Sequence, residues 1–288
     1  MSQDRLDASL DIDRRSTLEI VRIIQQQDAL VASTVAAEAE RIAHAVDEIA
    51  NRLAHGGRLF YVGAGTSGRI AMLDAAELPP TFGVDPSLVR VLMAGGERAY
   101  FAAAEGAEDD EEAAIAAVER EVVADDAVVG IAASGTTPYT VAAIRKANMI
   151  GALTVGITSQ PGSPLAQDAD IAIVPQTGPE VIMGSSRMKS GTAQKMILNT
   201  ISTTVMIRLG HVYSNLMIDM PATNEKLRSR AVRMVELAAG VARPIAAQAL
   251  RDAGGNVKLA TIIARKKVSA GEARKLLEGR NLREVLEA

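Results

Sequence analysis

The chain has 288 residues, of which 48% are hydrophobic and 23% charged, and its formal net charge is −4. This is the composition of a globular protein, and the slight negative charge argues against a dedicated surface for nucleic acid or for anionic membranes. Cysteine is absent, which excludes disulfides, thiolate nucleophiles and cysteine-ligated metals.

The small numbers of histidine and aromatic residues argue against two further kinds of site, a histidine-ligated metal site and a nucleic-acid stacking surface. The three histidines, His44, His55 and His211, do not pair at metal-ligand spacing, and three Phe with four Tyr are too few for a platform that stacks single-stranded nucleic acid. The first residues lack the layout of a signal peptide, and no apolar run approaches the roughly 18 residues that cross a bilayer. We expect a soluble protein of the cytoplasm.

The N-terminal segment predicts two helices. Residues 1–12 carry no pattern and predict a loose arm. Ser16 and Glu19 have the spacing of a capping box, so a helix should follow them. Apolar residues at helical spacing predict a second helix over 31–53.

Five short β-favouring runs follow, and helical stretches separate most of them. The runs are 58–62, 89–93, 127–132, 153–157 and 171–174. Buried strands that alternate with helices predict an α/β fold, with a mostly parallel five-stranded sheet and helices on both of its faces. Ligands of such sheets bind beyond the carboxyl ends of the strands.

The last part of the chain is helical by pattern. A long helix is predicted over 186–209, and the strand pattern ceases after Pro221. The domain plan expected from these changes has three parts: an arm and helices that pack on the core in 1–55, the sheet domain in 56–225, and a small helical C-terminal module in 226–288.

A glycine-rich turn follows the first strand. Residues 63–69 read GAGTSGR, and a helix start with free amides attracts anions. The string also fits a dinucleotide-binding pattern, but no acidic residue stands at the spacing that ribose binding needs. The hydroxyls of Thr66 and Ser67 suit a phosphomonoester better. A tight turn with a hydroxyl cap is the plain structural alternative.

Two further polar loops favour an anionic small molecule. Ser134, Thr136 and Thr137 follow the third strand and precede a proline-started helix. The cluster at 184–192, which opens the long helix, adds hydroxyls and two cations. The cations Arg187 and Lys189 also fit a solvated face.

At these loops the sequence resembles the N-acetylmuramic acid 6-phosphate etherases, which carry a sugar isomerase (SIS) domain. The strings that carry the resemblance are 63–83, 105–109, 130–139, 178–195 and 222–227. Glucokinase regulatory proteins share related strings but resemble two such domains fused in a much longer chain. The resemblance extends over nearly the whole chain.

The resemblance implies a SIS-type fold and a lyase of cell-wall peptidoglycan recycling. Such a lyase cleaves the D-lactyl ether of N-acetylmuramic acid 6-phosphate by elimination and water addition, giving N-acetylglucosamine 6-phosphate and D-lactate. It also implies that no cofactor and no metal is needed, and that a homodimer binds its sugar phosphate near the subunit boundary.

Two glutamates match the catalytic positions of the family. Glu77 is expected to protonate the lactyl oxygen, and Glu108 to remove the proton at C2. Glu105 lies three residues earlier and is the main competitor for the role of base. Taken alone, Glu77 is also a terminal helix residue before two prolines, and Glu108 the start of an acidic helix N-terminus.

The remaining site residues are assigned to substrate binding. Thr66, Ser67, Ser134, Thr136 and Thr137 are expected to hold the 6-phosphate. Ser185, Ser186, Arg187 and Lys189 should complete the site, while Glu180 orients this loop or contacts sugar hydroxyls.

Two other functions use the same phosphate loops. A sugar-phosphate sensor would bind without an acid–base pair, and an aldose–ketose isomerase would move the C2 proton without releasing lactate. Lactate release separates both from an etherase.

Overall fold

The computed structural model describes residues 5–102 and 104–288. The chain divides into two compact units. The first unit comprises the residues up to Ala75 together with Ser87–Val205, and the second comprises Ala76–Pro86 and Met206–Ala288. The division at 55/56 and 225/226 expected from the sequence stays a prediction.

A parallel five-stranded sheet forms the centre of the first unit. Its strands are β1 Leu59–Gly63, β2 Val89–Met93, β3 Ala127–Ile131, β4 Leu153–Ile157 and β5 Ile171–Ile173. They lie in the order β2-β1-β3-β4-β5, and every neighbouring pair is parallel. This confirms the predicted α/β fold with five strands.

Helices alternate with these strands along the chain. They are α1 Thr17–Asp28, α2 Val31–Ala36, α3 Ala39–Ala54, α4 Gly65–Phe82, α5 Glu111–Glu121, α6 Pro138–Ile150, α7 Pro164–Asp168 and α8 Lys189–Arg208. The three central strands β1, β3 and β4 are buried along their whole length, and α5 and α6 enclose one apolar core with the sheet. Burial on both faces explains why these strands are continuous apolar runs.

Two helix boundaries differ from the expectation. The capping box of Ser16 and Glu19 is present, but the helix predicted over 31–53 consists of α2 and α3, since a turn at 37–38 separates them without a Gly or Pro to mark it. The helix expected to end near Glu77 continues through Pro79 and Pro80. A proline beyond the first turn removes one helix hydrogen bond and crowds the carbonyl four residues earlier, which is why the local pattern predicts an earlier end.

Side chains cover the free edge of β5. Glu38 accepts a hydrogen bond of 3.0 Å from the backbone amide of Val174. Arg41 donates one of 3.0 Å to the backbone carbonyl of Ala172. Backbone groups at the edge of a sheet otherwise remain available to another strand, and here α3 and the residue before it occupy two of them.

The second unit contains a helical core of its own. Its helices are α9 Glu225–Ala239, α10 Arg243–Asp252, α11 Val257–Lys266, α12 Ala270–Leu277 and α13 Leu282–Glu287. A small hairpin, β6 Val212–Tyr213 with β7 Leu216–Met217, precedes them and was not expected from the sequence. Within the described ranges, no helix combines the length and apolar character needed to span a bilayer.

Candidate active site

Two hydroxyl-bearing loops lie side by side at the carboxyl ends of β1 and β3. The two strands are neighbours, and their last residues, Gly63 and Ile131, are in register. The chain continues from β1 to β2 on one side and from β3 to β4 on the other. This is the topological switch point of the sheet, where open α/β sheets bind their ligands.

Thr66 and Ser67 occupy the first turn of α4, directly after β1, and both are half-buried. The turn is tight at Gly68, where an added Cβ would lie 2.8 Å from the carbonyl oxygen of Gly63 and 2.1 Å from the sulfur of Met93. Only glycine fits there. The amides in the first turn of a helix have no acceptor inside it and attract anions.

The second loop has a fixed internal hydrogen-bond pattern. Ser134 Oγ accepts from the backbone amide of Thr136 at 3.3 Å and from its hydroxyl at 3.1 Å. A serine hydroxyl has one proton and two lone pairs, so the proton of Ser134 is free to donate to a ligand. Thr137 precedes α6 as its N-cap residue and is half-buried, whereas Thr136 is exposed.

The third polar cluster opens α8. The carboxylate of Glu180 is buried and accepts from the backbone amides of Lys189, at 3.0 Å, and Ser190, at 2.9 Å. A carboxylate at a helix start satisfies free amides and favours the helix dipole. Glu180 thus caps the start of α8, and its role toward the substrate stays a prediction.

Lys189 points away from solvent. It is 2% exposed, and its ammonium donates a hydrogen bond of 3.0 Å to Gln27 at the end of α1. Burial lowers the pKa of Lys189, while the charges of Glu180 and Asp28 act in the opposite direction. Ser185 and Ser186 are half-buried and Arg187 is exposed.

The third cluster lies next to the first two loops. A Cβ added at Gly191 would be 3.5 Å from the carbonyl oxygen of Ser186 and 3.7 Å from Thr66 Cγ2. A small cleft, of the size of a water molecule, also joins the end of β3 to this cluster. Its lining consists of Ala133, Ser159, Gln160, Thr177, Gly178, Glu180, Gly184 and Ser190.

Two polar residues of this region were missed from the sequence. Gln194 on α8 accepts a hydrogen bond of 2.9 Å from Ser67 and is 2% exposed. Asp74 on α4 is 5% exposed. Both residues lie inside the strings 63–83 and 178–195 that carry the resemblance. Nothing in the local pattern distinguishes them from their neighbours, because their partners lie on other elements.

The two candidate catalytic carboxyls lie on different units. Glu77 is an exposed residue of α4 in the segment that belongs to the second unit. Glu108 is an exposed residue of a short 3₁₀ turn, Ala107–Asp109, in the first unit. Glu105 is exposed as well, two residues before that turn. The roles of all three stay predictions.

His211 lies in the second unit, half-buried, with its Nδ1 2.7 Å from Asp219 Oδ2. Lys258 forms an ion pair with the same carboxylate. Across residues 5–102 and 104–288, no group of three or more His, Asp or Glu side chains is arranged to hold a metal ion.

Comparison with solved structures shows the fold of the sheet unit. A phosphoheptose isomerase from Francisella tularensis superposes with a TM-score of 0.54, over 67% of this chain and 100% of that one, at 17% sequence identity. Residues 41–148 match the N-terminal SIS domain of glucokinase regulatory protein.

Comparison with curated sequences identifies much nearer relatives. An N-acetylmuramic acid 6-phosphate etherase of Symbiobacterium thermophilum is 58% identical over 91% of this chain and 87% of its own length. One from Clostridium beijerinckii is 49% identical over 95% of this chain and 90% of its own length. Identity of this extent over more than nine-tenths of the chain shows that the chain belongs to the N-acetylmuramic acid 6-phosphate etherase family.

Proposed function

We propose that the protein cleaves the D-lactyl ether of N-acetylmuramic acid 6-phosphate, giving N-acetylglucosamine 6-phosphate and D-lactate. Family membership supports this reaction. The structural observation that carries the proposal is the adjacency of two hydroxyl-bearing loops at the switch point of the sheet. We assign the 6-phosphate to Thr66, Ser67, Ser134, Thr136 and Thr137, with Ser185, Ser186, Arg187 and Lys189 completing the site.

The reaction begins with the opened sugar, whose aldehyde makes the proton at C2 acidic. Glu108 removes this proton while Glu77 protonates the lactyl oxygen, so that the bond between C3 and this oxygen breaks and D-lactate leaves. The product is an aldehyde with a double bond between C2 and C3. Water then adds its hydroxyl to C3 and a proton to C2, with Glu77 now acting as the base.

The atoms that the proposed reaction adds at C2 and C3 can be traced with labelled water. The purified protein is incubated with N-acetylmuramic acid 6-phosphate in D₂O enriched in ¹⁸O. We expect D-lactate and a sugar product with deuterium at C2 and ¹⁸O at C3. Binding without lactate release would identify a sensor, and exchange at C2 with an altered sugar but no lactate would identify an isomerase.

Variants separate the two carboxyls. Glu77→Gln should fold and bind but release no lactate, since the amide cannot protonate the leaving oxygen. Glu108→Gln should abolish deuterium exchange at C2, and Glu105→Gln is the matched control that should retain it. Normal lactate release by Glu77→Gln, or exchange that survives Glu108→Gln, would remove the residue from its role.

We further propose that the enzyme works as a homodimer in the cytoplasm. Helix α1 supports the dimer, because its residues Leu18 and Val21 are 57% and 42% exposed in the single chain and none of its residues is buried. Nearby Leu30 is 53% exposed. Analytical ultracentrifugation should give a dimer, and Leu18→Glu should shift it toward the monomer, whereas Leu237→Glu on α9 should not.

A further inference from the structure

The contact between Ser67 and Gln194 leaves one polar atom unsatisfied. Ser67 Oγ lies 2.9 Å from Gln194 Oε1 and donates its proton to it. Gln194 is 2% exposed. In the part of the chain that the structure describes, its Nε2 is buried and has no hydrogen-bond partner. Buried donors without an acceptor are rare and costly.

Two orientations of the amide are compatible with this contact. With Oε1 toward Ser67, the hydroxyl gives its only proton to the amide. A rotation of the amide by 180° places Nε2 against Ser67, so that the amide donates and the hydroxyl accepts. The proton of Ser67 is then free. The exchange gives Nε2 the oxygen of Ser67 as its acceptor and moves Oε1 to the position without a partner.

The direction of this hydrogen bond decides what Ser67 can bind. A phosphate dianion only accepts hydrogen bonds, and Ser67 binds it only with a free proton. In the second loop Ser134 already accepts twice from Thr136, so its proton is free in either case. In the first loop the direction of the hydrogen bond is not fixed, because the side-chain amide of Gln194 can either accept a proton from Ser67 or donate one to it.

We propose that Gln194 is a positioning residue that directs the hydroxyl proton of Ser67 toward the phosphate of the substrate. The proposal rests on the function proposed above, in which Ser67 is a phosphate ligand. When the phosphate binds, Gln194 turns its Nε2 to Ser67. The charge-assisted hydrogen bond from Ser67 to the phosphate is stronger than the neutral one it replaces.

The decisive variant is Gln194→Glu, which keeps the size of the side chain but presents only acceptor oxygens. It fixes the proton of Ser67 on the carboxylate. We expect a rise of about 10- to 100-fold in KM for N-acetylmuramic acid 6-phosphate and in the inhibition constant of inorganic phosphate, the loss typical of a charged hydrogen bond. The change in kcat should be smaller. Thr200→Val on an exposed position of the same helix is the control.

A double-mutant cycle with Ser67→Ala tests whether the effect passes through the hydroxyl. Ser67→Ala alone should raise KM, and Gln194→Glu should add less than about threefold in that background. A melting curve checks that each variant folds. Lowering the pH should bring the KM of Gln194→Glu toward the wild-type value at the same pH, since the protonated introduced carboxyl donates again.

Gln194→Met supplies the test if the buried charge prevents folding. It removes the donor that holds Ser67, so KM should rise about threefold to tenfold, and this rise should vanish in the Ser67→Ala background. An equal rise with and without Ser67, or no rise in either Gln194 variant, overturns the proposal. Lactate release with a KM that Ser67→Ala leaves unchanged overturns the positioning role but not the reaction, whereas no lactate from the wild type overturns the proposed function itself.

Discussion

Tyr61 donates a hydrogen bond of 3.0 Å to the carboxylate of Asp74 in the interior of the first unit. The same carboxylate accepts from Asn199 at 2.7 Å and from Ser202 at 3.0 Å. A buried charge is tolerated only when hydrogen bonds replace its water. This network joins β1, α4 and α8. The first hydroxyl-bearing loop connects β1 to α4, and Gln194 lies on α8.

Asp74 should make the stability of the protein depend on pH. Burial raises the pKa of Asp74, although the hydrogen bonds from Tyr61, Ser202 and Asn199 act in the opposite direction. The folded state therefore keeps a proton that the unfolded chain releases, and the free energy of unfolding falls as the pH rises from about 4 through the raised value.

Urea unfolding between pH 3.5 and 7 measures this contribution. Asp74→Asn lacks the titrating group, so the difference in unfolding free energy between wild type and variant should shift in favour of the variant as the pH rises. Parallel pH profiles of the two proteins would contradict the role of Asp74.

Asp126 should be the costliest ion-pair residue to remove. It is fully buried and accepts from the backbone amide and the guanidinium of Arg58, at 2.8 Å and 2.9 Å. Asp126→Ala leaves these donors without their partner, and we expect a loss of about 3–5 kcal/mol in unfolding free energy. Asp168→Ala is the matched control: its partner Arg145 is 57% exposed, so the loss should stay below about 1 kcal/mol. Similar losses in chemical denaturation would refute this ranking.

Gly135 should be intolerant of any side chain. Its φ of +66° is in the left-handed region, and an added Cβ would lie 2.1 Å from Ser163 Oγ and 2.6 Å from Thr158 Oγ1. Gly135→Ala should cost about 2–4 kcal/mol, from backbone strain together with overpacking, and should raise KM by displacing Ser134. Gly162→Ala has a φ of +68° but open space around it, so it should lose only about 1–2 kcal/mol. Thermal unfolding and substrate kinetics of the two variants test this prediction, and equal losses of stability with equal KM values would contradict it.

Glu180→Gln should loosen the start of α8. The amide offers one acceptor where the carboxylate serves two backbone amides, and its own NH₂ faces the second donor. We expect a loss of about 1–3 kcal/mol and a higher KM. Glu119→Gln, at a side chain that is 55% exposed, is the control and should change the unfolding free energy by less than about 1 kcal/mol. Equal stability of the two variants would show that the cap contributes little.

The sequence predicted the sheet because its signals are local. Each strand is a short apolar run between turn residues. Because β1, β3 and β4 are buried on both faces, their sequences are continuously apolar and do not alternate between polar and apolar residues. The polar loops follow from the same logic, since parallel strands bring their carboxyl ends to one edge.

Features that depend on distant residues could not be read in this way. Gln194 meets Ser67 across 127 residues of chain, and Asn199 meets Asp74 across 125. The hairpin of β6 and β7 is only two residues long on each side, too short for a periodic pattern. The helix continues through Pro79 and Pro80 against their usual tendency, which the local signal alone does not predict.

The covered margin of β5 has a consequence for behaviour at high concentration. Amyloid-type fibrils grow when an incoming chain forms hydrogen bonds with unpaired backbone N–H and C=O groups at the edge of a sheet. Here Glu38 and Arg41 already hold the amide of Val174 and the carbonyl of Ala172. Fibrous growth on this flank of the folded molecule must first detach both side chains, so the native state carries its own safeguard against cross-strand aggregation there.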